Sequence, residues 1–300
     1  MTRRGWLLFA TMSLVWGVPY LLIKVAVEEL SPPELVLLRC ALAAALLLPL
    51  AAAQRRLRVP RPRWPALALF TVLEMTGPWL LISYAEQTLS SGLAGLLVAT
   101  VPIVSVVAGR VLGEADRLDG VRVAGLAVGM VGVGALLGLD VGGGELLAVG
   151  AMALVVLGYG TAPLVITRRL GGVPGVAVSA WALALTAVVY LPFGLPSLLA
   201  GPVPSGRVVG SVVALAVLCT AAALVLFFAL IREVGPNRAL VITFLNPAVA
   251  VALGIVVLGE ALTAGTLVGF PLVLLGCVLA TRRSRERAPE PQLVPASAGS

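Results

Sequence analysis

Glu74 is an acid in the middle of a long apolar run, with Thr71 one turn before it and Pro78 one turn after it. A charged side chain at the centre of a bilayer costs about 3 kcal/mol or more when it faces lipid. A carboxyl at that depth therefore belongs beside water, a partner or a proton. Facing a cavity, it could attract a cationic or amine-bearing substrate, or carry a coupling proton. The alternative is a neutral carboxyl hydrogen-bonded to a neighbouring helix. Arg39 lies inside the apolar run 34–53. Its planar fork suits a carboxylate or phosphate. The favoured reading is nevertheless structural: it snorkels outward, or pairs with Glu34 or with the Glu28–Glu29 turn. Lys24 and Glu86 stand at the ends of their runs as further charge partners at one mouth.

Aromatic faces in a cavity suit planar or cationic substrates. The aromatic candidates are Trp16, Tyr20, Trp79, Tyr84, Tyr159 and Trp181, and Trp16 ranks first, because it is mid-run, where an interfacial belt role does not apply. Tyr20 follows one turn later, and Tyr159 lies among Gly158, Gly160, Thr161 and Pro163. Trp6 and Trp64, with Trp79 or Trp181, fit an interfacial belt better. Pro102 and Pro247 interrupt two further runs, freeing carbonyls at Val98 and Thr243. Thr100, Thr243 and Asn246 add polar groups beside these kinks. The expected substrate site is therefore Trp16, Tyr20, Glu74, Tyr159, Thr243 and Asn246, with Pro102 and Pro247 as gating hinges.

These residues need elements to hold them, and the composition dictates which. Of 300 residues, 60% are hydrophobic and only 12% charged, with 33 Gly and 21 Pro. A helix of about 20 apolar residues crosses a bilayer. Ten apolar runs can be read, at 6–27, 34–53, 64–84, 91–112, 121–139, 145–166, 174–195, 208–231, 238–258 and 263–281. Connections this short leave no folded domain outside the membrane. The absence of His excludes His-based metal sites, general bases and Ser-His-Asp triads. Cys40, Cys219 and Cys277 are isolated in apolar stretches and read as small buried hydrophobes. No cofactor or metal site and no nucleic-acid partner is expected.

Basic residues set the orientation. Arg3 and Arg4, the cluster Arg55–Arg63, Arg110, Arg117, Arg122, Arg168, Arg169, Arg232, Arg238 and the run from Arg282 fall on one side. Lys24 and Arg207 fall on the other. This asymmetry puts both termini in the cytoplasm. The tail 282–300 reads as disordered.

The stretch from Gly92 to Gly132 resembles that from Asn237 to Gly276. Pro102, Gly113-Glu114, Gly125 and Gly132 recur as Pro247, Gly259-Glu260, Gly269 and Gly276. Pro19 and Pro33 pair more faintly with Pro163 and Pro174, and Glu74 aligns with Cys219. Five runs per half is an odd number, so the second half enters from the opposite side. Glu114 and Glu260 then end equivalent runs at opposite faces, and are read as helix caps or Arg partners ahead of gates. Gly125, Gly129, Gly132, Gly134 and Gly138 favour close helix packing.

With Trp16-Gly17 and Pro19 in the first run, Pro33 and Arg39 around the second, and the repeated Pro…Gly-Glu blocks, the chain resembles EamA-type members of the drug/metabolite transporter superfamily over 6–281. The resemblance implies an all-α membrane protein of ten transmembrane helices in two inverted five-helix repeats, at 1–140 and 141–281. It implies a central cavity lined by helices one, three, four, six, eight and nine. The fifth and tenth would be peripheral, in contact with another subunit as a homodimer. The function expected is secondary transport of small metabolites, export above import, by alternating access with proton coupling. A passive facilitator or channel is the second reading, and an intramembrane enzyme a distant third. One Lys among 21 basic residues, with abundant Ala, Gly, Val and Leu, suggests a GC-rich bacterial genome and a prokaryotic plasma membrane.

Overall fold

A computed structural model describes residues 2–111, 113, 120–140, 145–235, 239 and 241–281. Glu114, Arg117, Asn237, Arg238 and the tail from Arg282 lie outside the described residues. Ten helices run through the described part: α1 (Arg3–Ala26), α2 (Pro32–Ala53), α3 (Arg61–Ala85), α4 (Ser91–Val111), α5 (Gly120–Asp140), α6 (Leu146–Arg169), α7 (Gly175–Ala200), α8 (Gly206–Val234), α9 (Ile242–Leu258) and α10 (Ala264–Ala280). The first eight are long and apolar enough to span a bilayer. The last two have 17 residues each, about 25 Å of helix, close to the hydrocarbon thickness.

α1 begins and α10 ends at one face, here the terminal face. There, Thr2 Oγ1 donates to Glu233 Oε1 (2.6 Å), Arg63 donates to the Gly171 carbonyl, and Trp181 Nε1 donates to the Leu57 carbonyl (3.0 Å). The connections α1–α2, α3–α4, α7–α8 and α9–α10 meet at the opposite face. There Arg207 pairs with Glu28 at 3.2 Å and the Ser205 amide donates to Glu29 (2.7 Å).

The packing exchanges the two halves. α1 packs on α8 and α9, and α6 packs on α3 and α4, which are the corresponding helices of the first half. α2 pairs with its counterpart α7, and α5 with its counterpart α10. In the last pair Gly125, Gly129 and Gly132 do what their spacing suggests, whereas nothing lies within 4 Å of a Cβ added at Gly134 or Gly138. The backbone of α10 lies so close to Gly125, Gly129 and Gly132 that a Cβ at Gly132 would stand 2.6 Å from the Val273 nitrogen. The glycine faces of α5 and α10 are thus consumed inside the chain. Gly113 and Gly259 end α4 and α9 in the same left-handed conformation, with φ of 75° and 68°, as expected of repeated helix C-caps.

Three helices are irregular. α3 widens into a π-helical turn at Val72–Thr76 and α8 does so at Val217–Ala222, at equivalent places in the two repeats. α4 breaks at Ala99–Thr100, just before Pro102. Thr100 Oγ1 donates to the Leu97 carbonyl (2.6 Å), and Cys277 Sγ donates to the Ala99 carbonyl (3.1 Å). The discontinuity is therefore one residue beyond the expected Val98 carbonyl. Pro247 behaves differently: α9 runs unbroken through it, and its ring is buried. Of the two expected hinges, only Pro102 adjoins a break.

Candidate functional site

Midway along the bundle, the two π-turns bring polar groups of both repeats to one place. Such turns misalign the i→i−4 ladder and re-aim side chains, and they occur often at functional sites. In α8, Thr220 Oγ1 donates to the Leu215 carbonyl five residues back (2.8 Å). The same oxygen accepts a hydrogen bond from Arg39 Nε (3.0 Å). The Arg39 guanidinium lies over the Trp79 ring at 3.7 Å from its centroid. Arg39 on α2 is thus held between Trp79 of the first half and Thr220 of the second, at 8% exposure.

This corrects the structural expectation for Arg39. Glu34 does not pair with it, because Glu34 accepts from the amide and hydroxyl of Ser31 as a helix cap (2.6 and 2.7 Å). Glu28 and Glu29 are engaged by Arg207 and Ser205. Among the described residues no carboxylate lies within ion-pair distance of Arg39. A guanidinium has five N–H donors; here Thr220 takes one and the Trp79 face takes the cation. A buried cation without an anion is strongly disfavoured, so the remaining fork is suited to a bound carboxylate or phosphate.

Tyr159 and Tyr20 complete this cluster. Tyr159 is in electrostatic reach of Glu74 and Arg39, with Trp79 at its hydroxyl. Tyr20 is in reach of Tyr159, Arg39 and Glu86. Gly158 and Gly160 explain how Tyr159 gets there. They let α6 approach the Leu73 carbonyl of α3 and Val104 of α4 on either side of it. Glu74 sits inside the α3 π-turn, half-buried, and accepts no hydrogen bond from a described residue. Next to it, Tyr190 donates to the Thr76 carbonyl (2.7 Å) and the Thr76 and Thr186 hydroxyls share a hydrogen bond (2.9 Å), which fixes the widened turn.

The other expected site residues lie to the side. Trp16 stacks on Phe227 of α8, with ring centroids 4.6 Å apart, in a separate apolar cluster with Met12, Leu230 and Ile242. The Asn246 amide nitrogen, oriented by its surroundings, donates to the Ile242 carbonyl (2.9 Å) and across to the Ser13 carbonyl on α1 (3.2 Å). It works as a helix tie. Thr243 is half-buried on the same stretch. Trp181 is held at the terminal face against Trp64. Among the described residues Lys24 has no ion-pair partner: Nζ donates to the carbonyls of Glu86 (2.6 Å) and Leu89 (2.8 Å). Glu260 accepts from the amides of Ser91 (2.6 Å) and Gly92 (3.0 Å), so it caps α4. Sequence reasoning missed Thr220 and ranked Trp79 below Trp16. The alignment of Cys219 with Glu74 was the available signal, since it marks both π-turns.

Comparison with known proteins agrees in its direction. The EamA-like transporter family pattern matches residues 3–138 and again 146–282. The chain is 29% identical over 283 residues to the "uncharacterized inner membrane transporter YedA" of Escherichia coli, covering 91% of this chain and 89% of that one. It is 24% identical to an "uncharacterized transporter" of Archaeoglobus fulgidus, over 93% and 99% of the two chains. It is 28% identical to a "probable terminal-alkyne amino-acid exporter" of Streptantibioticus cattleyicolor, over 97% of each. A crystal structure of a protein 23% identical superposes with a TM-score of 0.64, over 92% of this chain and 96% of that one.

Proposed function

The chain belongs to the EamA-like transporter family, so it is a multi-pass membrane transporter of small molecules, and on that premise we propose that it is a secondary exporter of small carboxylate-bearing metabolites, amino acids first among them. One observation carries the substrate class: a buried Arg39, stacked on Trp79 and tethered to Thr220, with no carboxylate of the described residues paired to it. A substrate carboxylate would take the open fork, and Glu74, in reach of Tyr159, would face its amine or carry the coupling proton. The amino-acid exporter named among the relatives supports the same class.

The two five-helix repeats, at 1–140 and 141–281, would open the site alternately to either face. The terminal face would be cytoplasmic, in keeping with the arginine bias, and the membrane a bacterial inner membrane, in keeping with the relative's name. Amino-acid levels inside and outside cells with and without the protein test this reading. Export predicts a lower ratio of internal to external substrate when the protein is present. An unchanged ratio for every carboxylate-bearing metabolite contradicts it.

A further inference from the structure

At the opposite face the α3–α4 turn is held from both ends. Lys24 of α1 donates to the carbonyls of Glu86 and Leu89, where α3 finishes. Glu260, from the α9–α10 connection, accepts from the Ser91 and Gly92 amides, where α4 starts. A cation at a helix C-terminus and a carboxylate at a helix N-terminus each meet the matching end of the helix dipole. Small residues let the outer half of α4 press on α9: Gly95 against Ala250, and Gly92 against Val251. Residues 91–97 are all buried as a result. In the other half of α4, Val101–Val111, only Ile103 and Gly109 are buried. This conformer is shut at the opposite face.

Inside the shut face lies Glu86, with 0% exposure and no hydrogen-bond partner for either carboxyl oxygen. Lys24 takes its backbone carbonyl and not its carboxylate. The Ser91 hydroxyl beside the Glu260 cap is also buried without a partner. Burial away from water and donors disfavours the ionised carboxylate and outweighs the opposing pull of Lys24 and Arg39. The charged and titratable groups around it are Lys24 and Tyr20 of α1, Arg39 of α2 and Glu260. We propose that Glu86 is a proton-binding latch: the shut face encloses it as the neutral acid, and opening of that face hydrates it and releases its proton to the water there. No bond other than O–H changes. Low pH then favours the shut face, and high pH the open one. The latch rests on the transporter reading only in requiring a fold that opens at both faces.

The test is a spin-label distance between Gln87→Cys and Leu262→Cys, exposed sites on the two clamped connections, in the full chain in lipid nanodiscs between pH 5 and 8. The three native cysteines are buried. The wild-type background should give one short distance at pH 5 and gain a longer population by pH 8. Glu86→Gln should lose that shift and stay short throughout. Glu86→Met serves as a second neutral variant if the amide does not purify. A wild type without a pH-dependent population overturns the latch, and so does a shift that survives in the Glu86 variants. No substrate enters this readout, so its failure leaves the flux tests of the transport reading standing.

Discussion

Gly132→Ala and Gly134→Ala, two residues apart on α5, should have opposite effects. In a helix interior, Ala is favoured over Gly by about 0.8–1 kcal/mol. At Gly134 nothing lies within 4 Å of an added Cβ, so that gain is unopposed. At Gly132 the Cβ would meet the Val273 nitrogen at 2.6 Å and the Gly269 carbonyl oxygen at 2.9 Å. The first is about 0.8 Å short of ordinary contact, and a backbone atom cannot yield unless the whole of α10 moves. Forcing helices apart by 0.5–1 Å forfeits about a quarter to a half of each contact along the seam. Overpacking of this kind costs about 1–3 kcal/mol. The helix-propensity gain is common to both variants, so Gly132→Ala should be less stable than Gly134→Ala by about 1–3 kcal/mol, the overpacking cost alone. The assay is the monodisperse fraction of each purified variant after graded heating in one detergent. Equal stability of the two variants would refute the α5–α10 seam as drawn.

Three further expectations concern the site and the opposite face. Arg39→Lys keeps the charge but loses the fork and much of the stacking on Trp79, so the half-saturating substrate concentration should rise roughly tenfold, read from initial transport rates. Thr220→Val removes the acceptor for Arg39 Nε while keeping the shape, and should produce a smaller loss in the same measurement. Glu29 is held below its ordinary carboxyl range by hydrogen bonds from Ser205. A depressed folded value means that the tie between the α1–α2 and α7–α8 connections is present above the ordinary value of 4.5 and is lost as pH falls through the lower folded one. Hydrogen exchange at the Ser205 amide, corrected for intrinsic rate, should accelerate in that acid window and be fast at every pH in Glu29→Ala.

The helices were legible because apolar runs of bilayer length leave few other choices. The repeat was legible because proline and glycine mark backbone events that both halves share. Close packing of α5 followed from glycine spacing, but that its partner is α10 was not legible, because the spacing marks a face and not what covers it. The π-turns left only the alignment of Cys219 with Glu74 as a trace, because a single widened turn shifts register without changing composition. That hid Thr220, an ordinary helix residue until the turn aims it at Arg39. Trp79 stood among the aromatic candidates, but its place late in α3 ranked it with the interfacial belt. The partners of Arg39 were misplaced because acids nearby in sequence stood as candidates, yet Glu34, Glu28 and Glu29 are committed to local caps and to the α7–α8 connection. The sequence also could not show that the neighbouring helix offers Asn246 the Ser13 carbonyl.

The central claim is that Arg39 receives the carboxylate of a transported metabolite while Glu74 couples the movement to protons. Flux of radiolabelled amino acids in proteoliposomes, with and without a pH gradient, tests it most directly. The wild type should show saturable, gradient-driven movement of at least one of them. Arg39→Gln should lose it, and Glu74→Gln should lose the gradient-driven part while retaining exchange of a substrate that carries no net charge. Wild-type rates in Arg39→Gln, or gradient-driven transport in Glu74→Gln that is normal across pH 5–8, would contradict the account.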